Sequence, residues 1–98
     1  MERVPFEEHL YEELKDDEFA IGYLNECLND SEEVFLLGLR HVAEARGGVA
    51  ALAQRSNLNR EHLYRTLSRK GNPSMKNVGA ILAAVGLNLR VGGRQAVS

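Results

Sequence analysis

Val49-Ala-Ala-Leu-Ala-Gln-Arg-Ser-Asn-Leu-Asn-Arg-Glu-His-Leu-Tyr-Arg-Thr-Leu-Ser68 decides the reading of this 98-residue chain. It predicts two short helices, Val49 to Arg55 and Arg60 to about Lys70, joined by a tight turn. Ala53 is small where two helices cross closely. Asn57 stands where such a turn needs a residue that tolerates positive φ, and Leu58 plugs the corner. Asn59 is a good N-cap for the second helix, and Leu63 and Leu67, spaced i, i+4, turn one of its faces into a core. Two positions depart from the usual pattern: Ser56 stands where an apolar residue is common, and Asn57 where glycine is. Neither is disabling, because Asn adopts the left-handed conformation next best after Gly and a serine hydroxyl finds local backbone partners.

With Leu63 and Leu67 inward, Arg60, Glu61, Tyr64, Arg65 and Ser68 point outward. In a helix-turn-helix, the first turns of such a second helix enter the DNA major groove. Arg60, Glu61, Tyr64 and Arg65 are therefore the candidate base contacts: Arg matches guanine O6 and N7 bidentately, and Glu accepts from cytosine N4. Arg55, His62, Ser68, Arg69, Lys70 and Lys76 lie around this face as candidate phosphate contacts, which set affinity and salt dependence rather than sequence choice. The backbone amides near Gly48 and Val49 are a further place for a phosphate. The competing explanation is an ordinary helical hairpin with a basic solvent face.

Outward from this motif the chain stays helical. Glu7 to Lys15 carries Leu10 and Leu14, and Asp16 to Leu28 carries Phe19, Tyr23 and Cys27 with Ala20, Leu24 and Leu28, both at helical spacing. Asp30 and Glu33 resemble a capping box opening a third helix, whose Phe35, Leu36, Leu39, Val42 and Ala43 face inward until Gly47 and Gly48 end it. After Gly71-Asn-Pro, Ser74 can cap a last helix with Val78, Ile81, Leu82 and Val85 as its apolar stripe, ending at Gly86. Leu87-Asn-Leu-Arg-Val91 alternates like a strand but has no second strand in the chain to pair with. Its partner is the same segment of a second subunit or a strand of another protein; alternatively it is an extended tail packing Leu87 and Leu89 on the last helix. The expected fold is all-α, with five to six short helices containing a helix-turn-helix of the lambda-repressor-like type and a possible short C-terminal β-strand.

Length favours one domain over residues 1–98. Its expected parts are acidic N-terminal helices over 1–30, a DNA-binding helical core over 31–86, and a C-terminal strand and tail over 87–98. The net charge of −2 hides a split. Residues 1–33 carry twelve carboxylates against Arg3 and Lys15, a balance of −10, whereas residues 34–98 carry ten Lys and Arg against Glu44 and Glu61, a balance of +8. Two surfaces with different partners explain such asymmetry, as do two solvated helix faces. No apolar run is long enough for a membrane span and the acidic start lacks a secretory pattern, so a cytoplasmic protein with no membrane partner is expected. Cys27 is the one cysteine and reads as core filler. His9, His41 and His62 show no metal-ligand spacing with it, and no phosphate-binding glycine loop follows a strand; neither an enzyme, a metal nor a cofactor is expected.

The segments Ile21-Gly-Tyr-Leu-Asn-Glu-Cys-Leu-Asn-Asp30, Leu58 to Ser68, Gly71-Asn-Pro-Ser74 and Gly86-Leu-Asn-Leu-Arg-Val91 together resemble the probable addiction-module antidote proteins, HigA-like antitoxins with a phage-repressor (Xre/Cro) type helix-turn-helix. The resemblance implies an antitoxin that neutralises a small toxin of the RelE/ParE superfamily and, as a homodimer, represses their shared operon from an inverted-repeat site on double-stranded DNA. Toxins that act on RNA tend to be basic. The acidic region is thus the expected docking surface, with Phe19, Tyr23 and Leu24 either as apolar anchors there or as core residues. Two other readings compete: a stand-alone phage-type repressor without a toxin, and an interaction module that no longer binds DNA.

Overall fold

Four of the chain's helices start on a residue whose side chain accepts a hydrogen bond from the amide three positions on. The computed structural model describes residues 5–68 and 72–94, and within them six α-helices: α1 Pro5–Glu13, α2 Asp17–Asp30, α3 Glu32–Ala45, α4 Gly48–Ser56, α5 Arg60–Thr66 and α6 Met75–Ala84. Asp16 caps α2 through the Phe19 amide (3.0 Å), Ser31 caps α3 through Val34 (3.1 Å), Asn59 caps α5 through His62 (2.7 Å) and Ser74 caps α6 through Asn77 (3.1 Å). The α3 cap is thus Ser31 and not Asp30. Helix α2 runs on through Asp30, and Ser31 both closes α2, donating its amide to Cys27, and opens α3. Helix α5 also ends earlier than expected, with the Leu67 amide on the Leu63 carbonyl and the Ser68 hydroxyl on that of Arg65.

Each helix gives one face to a single core in which Leu14, Leu39, Val42, Leu52, Leu63, Leu67 and Ile81 are sealed from solvent. Helices α2 and α3 form an antiparallel pair joined at Ser31; α4 lies against α3, α5 and α6 and so holds the centre of the fold. Positive φ at Gly47 (113°) and Gly48 (91°) reverses the chain between α3 and α4, as their lack of a Cβ allows.

At the α2–α3 crossing, a Cβ added at Gly38 would stand 2.7 Å from Cys27 Sγ. Gly38→Ala is therefore expected to destabilise the chain by about 1–3 kcal/mol, overpacking outweighing the roughly 1 kcal/mol of helix propensity that alanine adds. The double variant Cys27→Ala/Gly38→Ala removes the colliding sulfur and should recover most of that loss. Urea midpoints for the two single variants and the double test it; additive effects would show that the two residues do not collide.

The last helix ends in a Schellman turn. Gly86 (φ 89°) returns its amide to Ala83, and the Leu87 amide reaches back 2.8 Å to Leu82. Beyond it, residues 87–94 run without regular structure, and no strand occurs among the described residues. The expected strand at 87–91 is thus not formed, there being no second strand among the described residues to complete a ladder. Leu87 packs on the core, whereas Leu89 is 47% exposed and does not share that packing.

Candidate nucleic-acid interface

The local chemistry of Val49–Ser68 is realised in the α4–α5 pair. Asn57 closes α4 in the left-handed region (φ 60°, ψ 19°), the sole non-glycine residue with positive φ among those described. Ser56 Oγ accepts from the Leu58 amide at 3.4 Å, giving that serine the local partner it needs, and Leu58 packs against the core. Ala53 is half-buried against the same cluster, and Leu63 and Leu67 are buried, joined by Thr66. The opposite face of α5 is left to solvent: Arg60, Glu61 and Arg65 are exposed, and Tyr64 is 42% exposed.

The surrounding candidates divide. Lys76 is exposed in the first turn of α6. His62 is half-buried, its Nε2 3.1 Å from the Asn77 side-chain nitrogen, so it ties α5 to α6. The Ser68 hydroxyl donates to the Arg65 carbonyl at 2.7 Å and ends the helix. Arg55 has a different employment from the one expected. Its terminal nitrogens donate to the carbonyls of Ala84 (3.2 Å) and Arg46 (2.9 Å), which turns its guanidinium back onto the protein rather than toward a phosphate. Arg69 and Lys70 lie outside the described residues. At the start of α4, Gly47 caps without a side-chain hydrogen bond, so no side chain competes for the first amides near Gly48 and Val49.

Two arginines, Arg40 on α3 and Arg46 at its C-cap, escaped the sequence reading. Arg40 places its guanidinium 5.5 Å from the centre of the Tyr64 ring and is held by Glu44 at 3.3 Å, which adds a cation beside the exposed face of α5. Arg46, only 14% exposed in its side chain, gathers the carbonyls of Leu14, Lys15 and Val85. The i, i+4 spacing of Arg40 and Glu44 was visible, but what they cover depends on how α3 lies against α5.

On the acidic side, Leu24 belongs to the core (5% exposed) and offers no surface for a partner. Phe19 and Tyr23 are half-buried and stacked, with ring centroids 6.5 Å apart. The apolar side chains that α2 does present are Ile21 (48% exposed) and Leu28 (50%). The Tyr23 hydroxyl shares a 2.7 Å hydrogen bond with His41 Nδ1, and burial, with Cys27 next in importance, pushes its pKa up to about 12. A folded-state pKa above the unfolded one means that the neutral phenol stabilises the fold fully below pH 10. That contribution is lost as pH climbs from about 10 through about 12. The stability gap between wild type and Tyr23→Phe is thus expected to narrow between pH 9 and 12, read from urea midpoints; a constant gap would place the phenol in solvent.

Residues 5–92 match a family described as probable addiction module antidote protein. An uncharacterized protein of Haemophilus influenzae is 36% identical over 81 residues, which is 82% of either chain. No solved structure matches. Among the described residues, no helix is long and apolar enough to cross a membrane.

Proposed function

The chain belongs to the family of probable addiction module antidote proteins, and from that premise we propose that it is an antitoxin which neutralises a cognate small toxin and represses their operon by binding DNA. Family membership implies the toxin partner. The DNA reading rests on one observation: α5 is short, capped, anchored by Leu63 and Leu67, and bare on the side that carries Arg60, Glu61, Tyr64 and Arg65. That is the form a lambda-repressor-like recognition helix takes, and its Arg and Glu side chains suit base edges in the major groove. Lys76, together with Arg69 and Lys70, supplies the phosphate contacts around it and Arg40 adds to them, whereas the Ser68 hydroxyl is engaged by the Arg65 carbonyl and His62 by Asn77. A homodimer sets two such helices about 34 Å apart on an inverted repeat.

For the toxin we propose a basic ribonuclease-like protein of RelE/ParE type. Half-buried Phe19 and Tyr23 share one face of α2 with the exposed Glu26 at i, i+4 and i+7, so the part of each ring left to solvent lies on the same face as a carboxylate. The test of both halves is direct. DNA from immediately upstream of the gene should be shifted by the protein, with an affinity that falls steeply between about 50 and 200 mM salt. A basic protein encoded next to it should co-purify. Failure of the shift with and without that partner removes the repressor half; failure to co-purify removes the antitoxin half.

A further inference from the structure

Thr66 is the one polar side chain buried among the described residues, 5% exposed, and its hydroxyl makes no hydrogen bond to any of them. A threonine in the last turn of a helix can return its hydroxyl to a carbonyl three or four residues back, and this one does not. Buried polar groups are nearly always paired, so an unpaired one needs a reason. No unpartnered side-chain oxygen among the described residues is sealed from solvent, so the little surface that Thr66 keeps includes its Oγ. That surface lines a cleft of about 400 Å³ between the end of α5 and the start of α6.

The walls of this cleft hold donors and no carboxylate. Arg65 lines it. Asn77 gives one amide hydrogen to His62 Nε2 (3.1 Å) and keeps the other. Ser74 Oγ accepts from the Asn77 amide (3.1 Å) and keeps its own hydrogen. Ser74 is also the N-cap of α6, a helix of 10 residues whose first amides, those of Met75 and Lys76, have no partner among the described residues. The positive end of the helix dipole lies there, with the exposed Lys76 in the same turn. Donors converging from α5 and α6 on one space suit a tetrahedral phosphate, whose oxygens point in as many directions; a planar carboxylate would leave one wall unmet. The volume lies within the roughly 300–1,000 Å³ of small-molecule sites, so the phosphate can carry an organic substituent.

We propose that the α5–α6 cleft binds one phosphate group, carried by a small phosphate ester or by the DNA backbone, with the Thr66 hydroxyl as its buried donor. The site shares Arg65 with the reading face of α5 but does not depend on DNA binding. Inorganic phosphate, replacing chloride at constant ionic strength, should shift the amide resonances of Thr66, Met75 and Lys76 saturably in proton–nitrogen correlation spectra. Thr66→Val keeps the shape and removes an unpaired hydroxyl, so it should melt no lower than wild type and yet bind phosphate about tenfold more weakly. Thr66→Ser, which keeps the hydroxyl, should bind it as wild type does. Operator titrations in chloride distinguish the sources: a matching loss of DNA affinity in Thr66→Val assigns the backbone phosphate, and an unchanged one assigns a free phosphate ester. Shifts that grow without saturating, or a Thr66→Val variant that binds phosphate as tightly as wild type, overturn the site. A wild type that binds phosphate but no operator defeats the DNA reading alone and leaves the cleft to the free ester.

Discussion

The Arg60→Ala/Arg65→Ala variant is expected to bind the upstream operator about 30- to 10⁴-fold more weakly than wild type, at a nearly unchanged melting temperature. Each bidentate arginine–guanine pair discriminates by about 1–3 kcal/mol, so two such contacts account for that range. Stability is spared because both side chains lie on the solvent face of α5, where substitutions shift the free energy by about 0.5 kcal/mol or less, while the buried Leu63 and Leu67 keep the helix docked. A graded series separates the roles. Arg65→Lys retains the charge but not the planar fork, so it should keep binding to unrelated DNA and lose preference for the operator. Lys76→Ala should weaken both alike and reduce the salt slope by about one. Mobility-shift titrations on operator and scrambled DNA measure this. An operator affinity of the double variant within twofold of wild type would mean that α5 is not the reading helix, and the solvent face of an ordinary hairpin would account for its charge.

What the sequence disclosed and what it hid differ in range along the chain. The turn at Asn57, the cap at Asn59 and the i, i+4 pair Leu63 and Leu67 are settled within a few residues of one another, so their chemistry could be read locally and reappears in α4 and α5. Helical period also marked the stripes on α2, but not which stripe meets α3. Leu24 turned inward, while Ile21 and Leu28, one turn either side of it, stayed out. The cap of α3 slipped by one position because Asp30 and Ser31 are both competent caps, and the length to which α2 continues decides between them. The uses of Arg46 and Arg55 were invisible. Their carbonyl partners lie 9 to 39 residues away, and in a sequence both look like members of a basic surface.

Arg46→Ala is expected to cost about 3 kcal/mol or more, the largest stability loss of any surface-charge deletion in the chain. Arg46 closes α3, its amide returning to Val42 and Ala43, and its side chain then reaches three other ends of the fold. Nε donates to the Leu14 carbonyl behind α1 (3.1 Å), Nη1 to Val85 at the end of α6 (2.8 Å), and Nη2 to Lys15 (3.4 Å) and to the Asp17 carboxylate (2.8 Å) at the start of α2. Helix ends leave carbonyls without intrahelical partners, and a cation placed there also meets the negative end of the helix dipole. Hydrogen bonds from a charged donor contribute about 1.5–3 kcal/mol each, so the two short bonds to carbonyls alone account for the expected loss. At about 4–8 °C per kcal/mol for a domain of this size, the thermal midpoint should fall by about 12 °C or more. The carboxylate is the minor partner: Asp17 is 67% exposed in its side chain, and Asp17→Asn should cost under about 1 kcal/mol. Lysine cannot replace the fork, because one ammonium cannot serve carbonyls on separate helices in fixed directions, so Arg46→Lys should recover only a minor part of the loss. Should Arg46→Ala melt within about 2 °C of wild type, water serves these carbonyls as well as the guanidinium does. The ends of α1 and α6 would then be held by Leu14, Ile81 and Val85 in the core alone.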